Sequence, residues 1–142
     1  RWAATGLDQF YPAAYEPAKR DFGPDVTYHG LPGPQLPPEF LASEVLAAGM
    51  SSGPVLLINE PVMVSSGENS SLWYNFFYPR WAYDAYRSWL DGRVQANQWN
   101  YLDVWNAVPA EEFTNSAIHM TPAGEAILAQ AVKEKLVRSI CP

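Results

Sequence analysis

Apolar residues in this chain recur at two different spacings, and the changes between them predict alternating helices and strands. From Pro37 onward Phe40, Leu41, Val45 and Ala48 return at helical intervals, with two prolines at the start and Gly49 where a C-terminal cap belongs. The next run, Val55, Leu56, Leu57 and Ile58, is apolar without alternation, as in a parallel strand covered on both faces. A polar and aromatic passage from Asn59 to Tyr78 follows and has the size of a functional loop. Pro79 then opens a second helix with Trp81, Ala85 and Trp89 on one stripe, Ala82 and Tyr86 beside it and Gly92 at its exit. Residues 99–105 favour a strand with Leu102 and Val104 on one side and Tyr101, Asp103 and Trp105 on the other. Thr121 and Pro122 supply an N-cap and a first-turn proline for a closing helix on which Ile127, Leu128, Ala131, Val132 and Leu136 share a face.

The first fifty residues read differently. Pro12, Pro17, Pro24, Pro32, Pro34, Pro37 and Pro38 leave room only for short helical turns, and Val26, Thr27, Tyr28 and His29 make one brief β-favouring run that ends at Gly30. The order strand, helix, strand, helix, strand, helix predicts an α/β fold of three layers, with a short parallel sheet of about three strands and flanking helices. Residues 1–36 form a proline-rich irregular lead-in, and residues 37–142 form the β-α-β-α core of a single domain. So thin a sheet, in a chain that opens on Arg1, leads us to expect the C-terminal part of a larger protein, with a compact three-strand domain or a swapped oligomer as the alternative.

Composition narrows the classes of function. With 142 residues the chain is the size of one domain, and 48% hydrophobic against 17% charged residues supports a packed core. Nine Lys and Arg against fifteen Asp and Glu give a net charge of -6, which argues against nucleic acid or an anionic membrane surface as partner. No apolar run reaches the ~20 residues of a spanning helix, so membrane insertion is not expected. The lone cysteine, Cys141, allows neither an internal disulfide nor a thiolate zinc site, and His29 and His119 have no ligand set at metal spacing. A glycine-rich phosphate loop is absent too, so no cofactor is expected.

In parallel sheets ligands bind beyond the carboxyl ends of the strands. That rule selects one loop with Asn59, Glu60, Ser65, Ser66, Glu68 and Asn69, and another with Asn106, Glu111, Glu112, Thr114, Asn115, Ser116 and His119. His119 stands just before the last helix, where the macrodipole disfavours an added proton and suits a general base; position alone favours a capping or packing histidine. Ser65, Ser66, Ser70 and Ser71 read as ordinary loop polarity, since no strained strand-to-helix elbow surrounds them. Glu111 and Glu112 read as surface charge near a turn begun by Pro109. Trp73, Tyr74, Phe76, Phe77 and Tyr78 put five aromatics into six positions, a density that suits stacking on sugar rings or, the favoured reading, packing against another domain.

The block Ser116, Ala117, Ile118, His119, Met120, Thr121, Pro122, Ala123, Gly124, followed by the closing helix, resembles the last block of SGNH (GDSL-type) hydrolases, most closely the branch similar to alginate and teichoic-acid O-acylation proteins. The resemblance extends back to the strand ending at Ile58 and covers roughly the final ninety residues. It implies an SGNH-like or flavodoxin-like half-fold and a serine esterase or O-acyltransferase that acts on acyl esters, with a polysaccharide as substrate and an extracytoplasmic location. His119 would be the base. The family's aspartate, three residues ahead of the histidine, falls on Ser116, next to the amide of Asn115, and Asp103 is read as a structural hydrogen-bonding residue. These residues carry no Gly-Asp-Ser nucleophile block, so the nucleophile would lie upstream or catalysis would be lost. Asn59, Glu60, Trp73 and Tyr74 are the candidate substrate contacts. The alternative is a non-catalytic module of the same fold that binds glycan or a protein partner.

Overall fold

A computed structural model describes residues 25–38, 41, 43–51, 53–114 and 116–140 of the chain. The elements run α1 (Ser43–Met50), β1 (Leu57–Asn59), α2 (Arg80–Asn97), β2 (Tyr101–Asp103), a 3-10 turn (Ala110–Glu112) and α3 (Pro122–Ile140). The fold is mixed α/β around a small parallel sheet. Strands β1 and β2 are paired in parallel with Leu57 opposite Tyr101, Ile58 opposite Leu102 and Asn59 opposite Asp103. A parallel pair needs a long crossover, and the loop to Tyr78 with α2 provides it. Backbone bonds continue beyond the three-residue strands, from Val104 N–H to the Asn59 carbonyl (3.1 Å) and from Val62 N–H to the Trp105 carbonyl (2.8 Å).

Among the described residues the sheet has two strands rather than three. Residues 26–29 do not form the expected strand, because the chain already reverses at His29 and Gly30. Tyr28 and Leu31 exchange two backbone hydrogen bonds of 2.9 Å across His29 and Gly30, whose φ angles are 49° and 80°. Positive φ at both central residues is the signature of a type I′ turn. Phe40 and Cys141 lie outside the described residues, as does most of the proline-rich lead-in.

Helix α2 runs five residues past Gly92 and stops where Gln98 turns left-handed at φ 53°. The residues after Gly92 are mostly good helix formers, which offset the ~1 kcal/mol that an interior glycine costs. Its covered side is also rotated from the tryptophan stripe: Ala82, Tyr83 and Leu90 are buried, whereas Trp81, Ala85 and Trp89 are half-buried. The closing helix departs further from expectation. Leu128, Ala131 and Val132 are half-buried, but Ile127 and Leu136 are exposed, so the apolar stripe is only partly covered among the described residues.

Two apolar clusters flank the extended segment after β1. Val62 joins Tyr74 and Tyr83, while the next residue, Met63, joins Val108 and Phe113 on the opposite side, as alternation along an extended chain requires. The second cluster supports a hairpin at residues 113–120. Phe113 and Met120 bridge antiparallel, and Thr114 N–H donates to the His119 carbonyl at 2.9 Å. Thr121 then caps α3: its hydroxyl accepts from Gly124 N–H (3.2 Å) and donates to the Glu112 carboxylate. Gly124 itself sits so close that a Cβ there would lie 2.8 Å from the Glu112 carbonyl oxygen. Glu112, expected as plain surface charge, is thus half-buried and holds the start of the last helix.

Candidate functional site

The carboxyl end of β1 opens into a cavity of about 400 Å³. Its floor is the segment from Ile58 to Val62, with Asn59 and Glu60 supplying polar groups, and one wall is α2, through Ala82, Tyr83 and Tyr86. Tyr78, from the end of the long loop, continues that wall. Tyr28 and Leu36 close it from the proline-rich lead-in. Residues 26–28 are held there by the Trp81 indole, which donates to the Val26 carbonyl at 2.7 Å, and by Tyr28 meeting the Trp81 ring edge-on.

The tyrosines form a continuous strip. Ring centroids are 6.4 Å apart for Tyr28 and Tyr78, 5.3 Å for Tyr78 and Tyr83, and 6.0 Å for Tyr83 and Tyr86, with successive planes inclined by 42°, 40° and 41°. Such spacing lies within the range of favourable aromatic contact. Below the strip, Asn59 is buried and fixed: its Nδ2 donates to Asp103 Oδ1 (3.1 Å), and its Oδ1 accepts from the Tyr83 hydroxyl (3.4 Å). Arg87 pairs with the other oxygen of Asp103 at 3.2 Å and lies over the Trp105 ring at 4.2 Å. Asp103 therefore serves the sheet end as a structural hydrogen-bonding residue.

The expected site residues divide into distinct groups. Asn59 and Glu60 both line the cavity. Tyr74 is buried, donates its hydroxyl to Asp84 (2.7 Å) and packs on Tyr83 and Trp105. Trp73 is half-buried and bridges to Pro79 outside the cavity lining. Ser116 accepts the Ile118 N–H with its own hydroxyl (3.3 Å). His119 is half-buried, and its carbonyl also accepts the Thr114 hydroxyl at 3.1 Å. Within this block it is Ile118 whose side lines the cavity, brought there because Met63 N–H donates to the Ala117 carbonyl at 2.8 Å. Asn115 lies outside the described residues.

Burial raises the phenol pKa at Tyr28, Tyr78, Tyr83, Tyr86 and Tyr101; at Tyr74 burial leads and the Asp84 hydrogen bond adds to it. These groups ionise near 10 when unfolded, so the fold favours their neutral forms. That stabilisation is fully present below pH 10 and is lost as pH rises through the higher folded values. We expect phenolate absorbance to appear cooperatively above pH 10 together with loss of the near-ultraviolet circular dichroism. A gradual titration centred on 10 with the fold intact would contradict this.

Among the described residues no group of three or more His, Cys, Asp or Glu is arranged to hold a metal ion, and no helix is long and apolar enough to cross a membrane. What fold and site define is an α/β chain with a tyrosine-walled cavity at the carboxyl end of a parallel strand pair. No family model, curated protein or solved structure matches the chain.

Proposed function

We propose that this chain recognises a glycan, with one sugar ring seated against the tyrosines beyond β1. The observation that carries the reading is the strip of Tyr28, Tyr78, Tyr83 and Tyr86 above the polar floor of Asn59 and Glu60. A sugar ring has an apolar C–H face and a polar edge. Aromatic walls take the first and a few fixed polar groups take the second, which is how small-ligand cavities combine affinity with orientation. The volume falls at the lower end of the ~300–1,000 Å³ typical of ligand cavities and suits a ligand of that size.

The test is titration calorimetry with neutral oligosaccharides. Tyr86 is half-buried and packs against the cluster of Val62, Tyr74 and Tyr83, so circular dichroism first checks that Tyr86→Ala is folded, and we expect the folded variant to bind about tenfold more weakly, the equivalent of ~1.4 kcal/mol of lost stacking. Unchanged affinity would remove the ring wall from recognition.

A second reading follows from the SGNH resemblance: the chain is the C-terminal part of a serine esterase or O-acyltransferase, and the bound glycan carries the acyl ester. The position of Ile118 favours it, because the residue next to His119 lines the cavity. In this reading His119 takes a proton from a serine hydroxyl supplied upstream, and the oxygen then attacks the ester carbonyl. A longer reading frame that includes the upstream residues should lose hydrolysis of a small acetyl ester on His119→Ala while its glycan affinity is unchanged. Equal rates would exclude His119 as the base.

A further inference from the structure

Resting on the glycan reading, we infer that the cavity selects a sugar bearing a free, protonated amine over an acetylated or an acidic one. Among the described residues that line it, Glu60 is the one charged side chain. It lies immediately after β1 and is exposed, so its carboxylate keeps contact with solvent as well as with the cavity. The neighbouring guanidinium groups are committed elsewhere. Arg87 is held by Asp103 and the Trp105 face, and Arg80 lies 4.3 Å over the Tyr74 ring while its Nε donates to the Ser70 carbonyl. A uronic acid would therefore bring its carboxylate toward Glu60 with no lining cation to meet it.

The ring wall points the same way. Each tyrosine face presents the negative side of its quadrupole, and an ammonium near several such faces is attracted by all of them. Tyr78, Tyr83 and Tyr86 follow one another at 5.3 Å and 6.0 Å, so a cation on a stacked sugar reaches more than one ring. The chain's net charge of -6 adds a favourable field for cationic oligomers and an unfavourable one for anionic oligomers. An ammonium on the sugar would thus gain from the lining tyrosine rings and from Glu60, whereas an N-acetyl group meets neither as a charge.

The experiment compares three tetramers by calorimetry on the intact chain: glucosamine, N-acetylglucosamine and galacturonate. We expect the amine form to bind about tenfold more tightly than the acetylated form, the combined effect of a cation over aromatic faces and one exposed ion pair, and galacturonate to bind most weakly. Glu60→Gln should bring the amine and acetylated forms within about threefold of each other, and circular dichroism should show an unchanged fold. Galacturonate equal to or tighter than the amine form, or an amine preference untouched by Glu60→Gln, would overturn the inference while leaving glycan binding in place. Silence from all three tetramers would instead overturn the glycan reading and the inference with it.

Discussion

Phe113→Ala should remove about 3–5 kcal/mol of folding stability, the usual range for emptying a buried phenylalanine site. Phe113 is 0% exposed, and it packs with Met63 and Val108 while Phe76, Ala110 and Met120 close around it. The vacated space has no route to collapse cheaply. The Phe113 backbone is bonded to Ala110 and bridged to Met120, and Met63 is tied to the Ala117 carbonyl. Domains of this size are stable by roughly 5–15 kcal/mol, so the loss takes a large part of the total. Urea denaturation measures it directly. A change below about 1 kcal/mol would mean that this cluster is not a core in solution.

Asn75→Ala is expected to cost about 2–4 kcal/mol and to weaken ligand binding as well, because three hydrogen bonds depend on one fully buried amide. Its Nδ2 donates to the Met63 carbonyl at 2.9 Å, and its Oδ1 accepts from Phe77 N–H at 2.9 Å and from Tyr78 N–H at 3.0 Å. The first bond fastens the long loop to the segment after β1. The other two form a side-chain-closed turn that sets the direction of the chain into Tyr78, a wall of the cavity. Alanine leaves the buried Met63 carbonyl and the two part-buried amides without that partner. Denaturation gives the stability loss, and calorimetry at a temperature where the variant remains folded gives the binding loss. A stable variant with unaltered affinity would show that Asn75 neither anchors the loop nor positions Tyr78.

These two residues illustrate what the sequence could not disclose. Phe113 stands in the polar stretch between Glu112 and Thr114, with no apolar periodicity to mark it, and its burial comes from a hairpin closed by Met120. Asn75 sits among aromatics and reads as loop polarity until its three partners are in place. Helix α2 was legible from Pro79 and its spacing, yet the wide tryptophan rings drew the stripe toward Trp81 and Trp89, when Tyr83 and Leu90 are the buried positions. The parallel relation of 55–58 to 99–105 was also legible, because an unalternating apolar run argues for a covered strand; the paired portion is shorter, at 57–59 and 101–103.

The site was half legible for a related reason. Asn59 and Glu60 follow from the rule that ligands gather beyond strand ends, and both line the cavity. Tyr28 and Leu36 do not follow from it. They reach the site from a proline-rich segment with no periodicity, through a His29–Gly30 reversal where β-favouring Val26 and Thr27 suggested a strand. Tyr74 carried the opposite signal, since an aromatic run looks like a binding surface, yet this ring is enclosed by Tyr83, Trp105 and the Arg80 guanidinium. Exposure of a single ring cannot be read from the density of rings around it.

Backbone amide chemical-shift mapping during titration with the glucosamine tetramer would locate the ligand on the molecule. Saturable shifts are expected at Asn59, Glu60, Val62, Tyr83, Tyr86 and Ile118, residues far apart in the chain that meet around one cavity. Shifts confined to the exposed stripe of α3 or to the Phe77 loop, with Asn59 and Tyr83 unmoved at saturation, would contradict binding in that cavity.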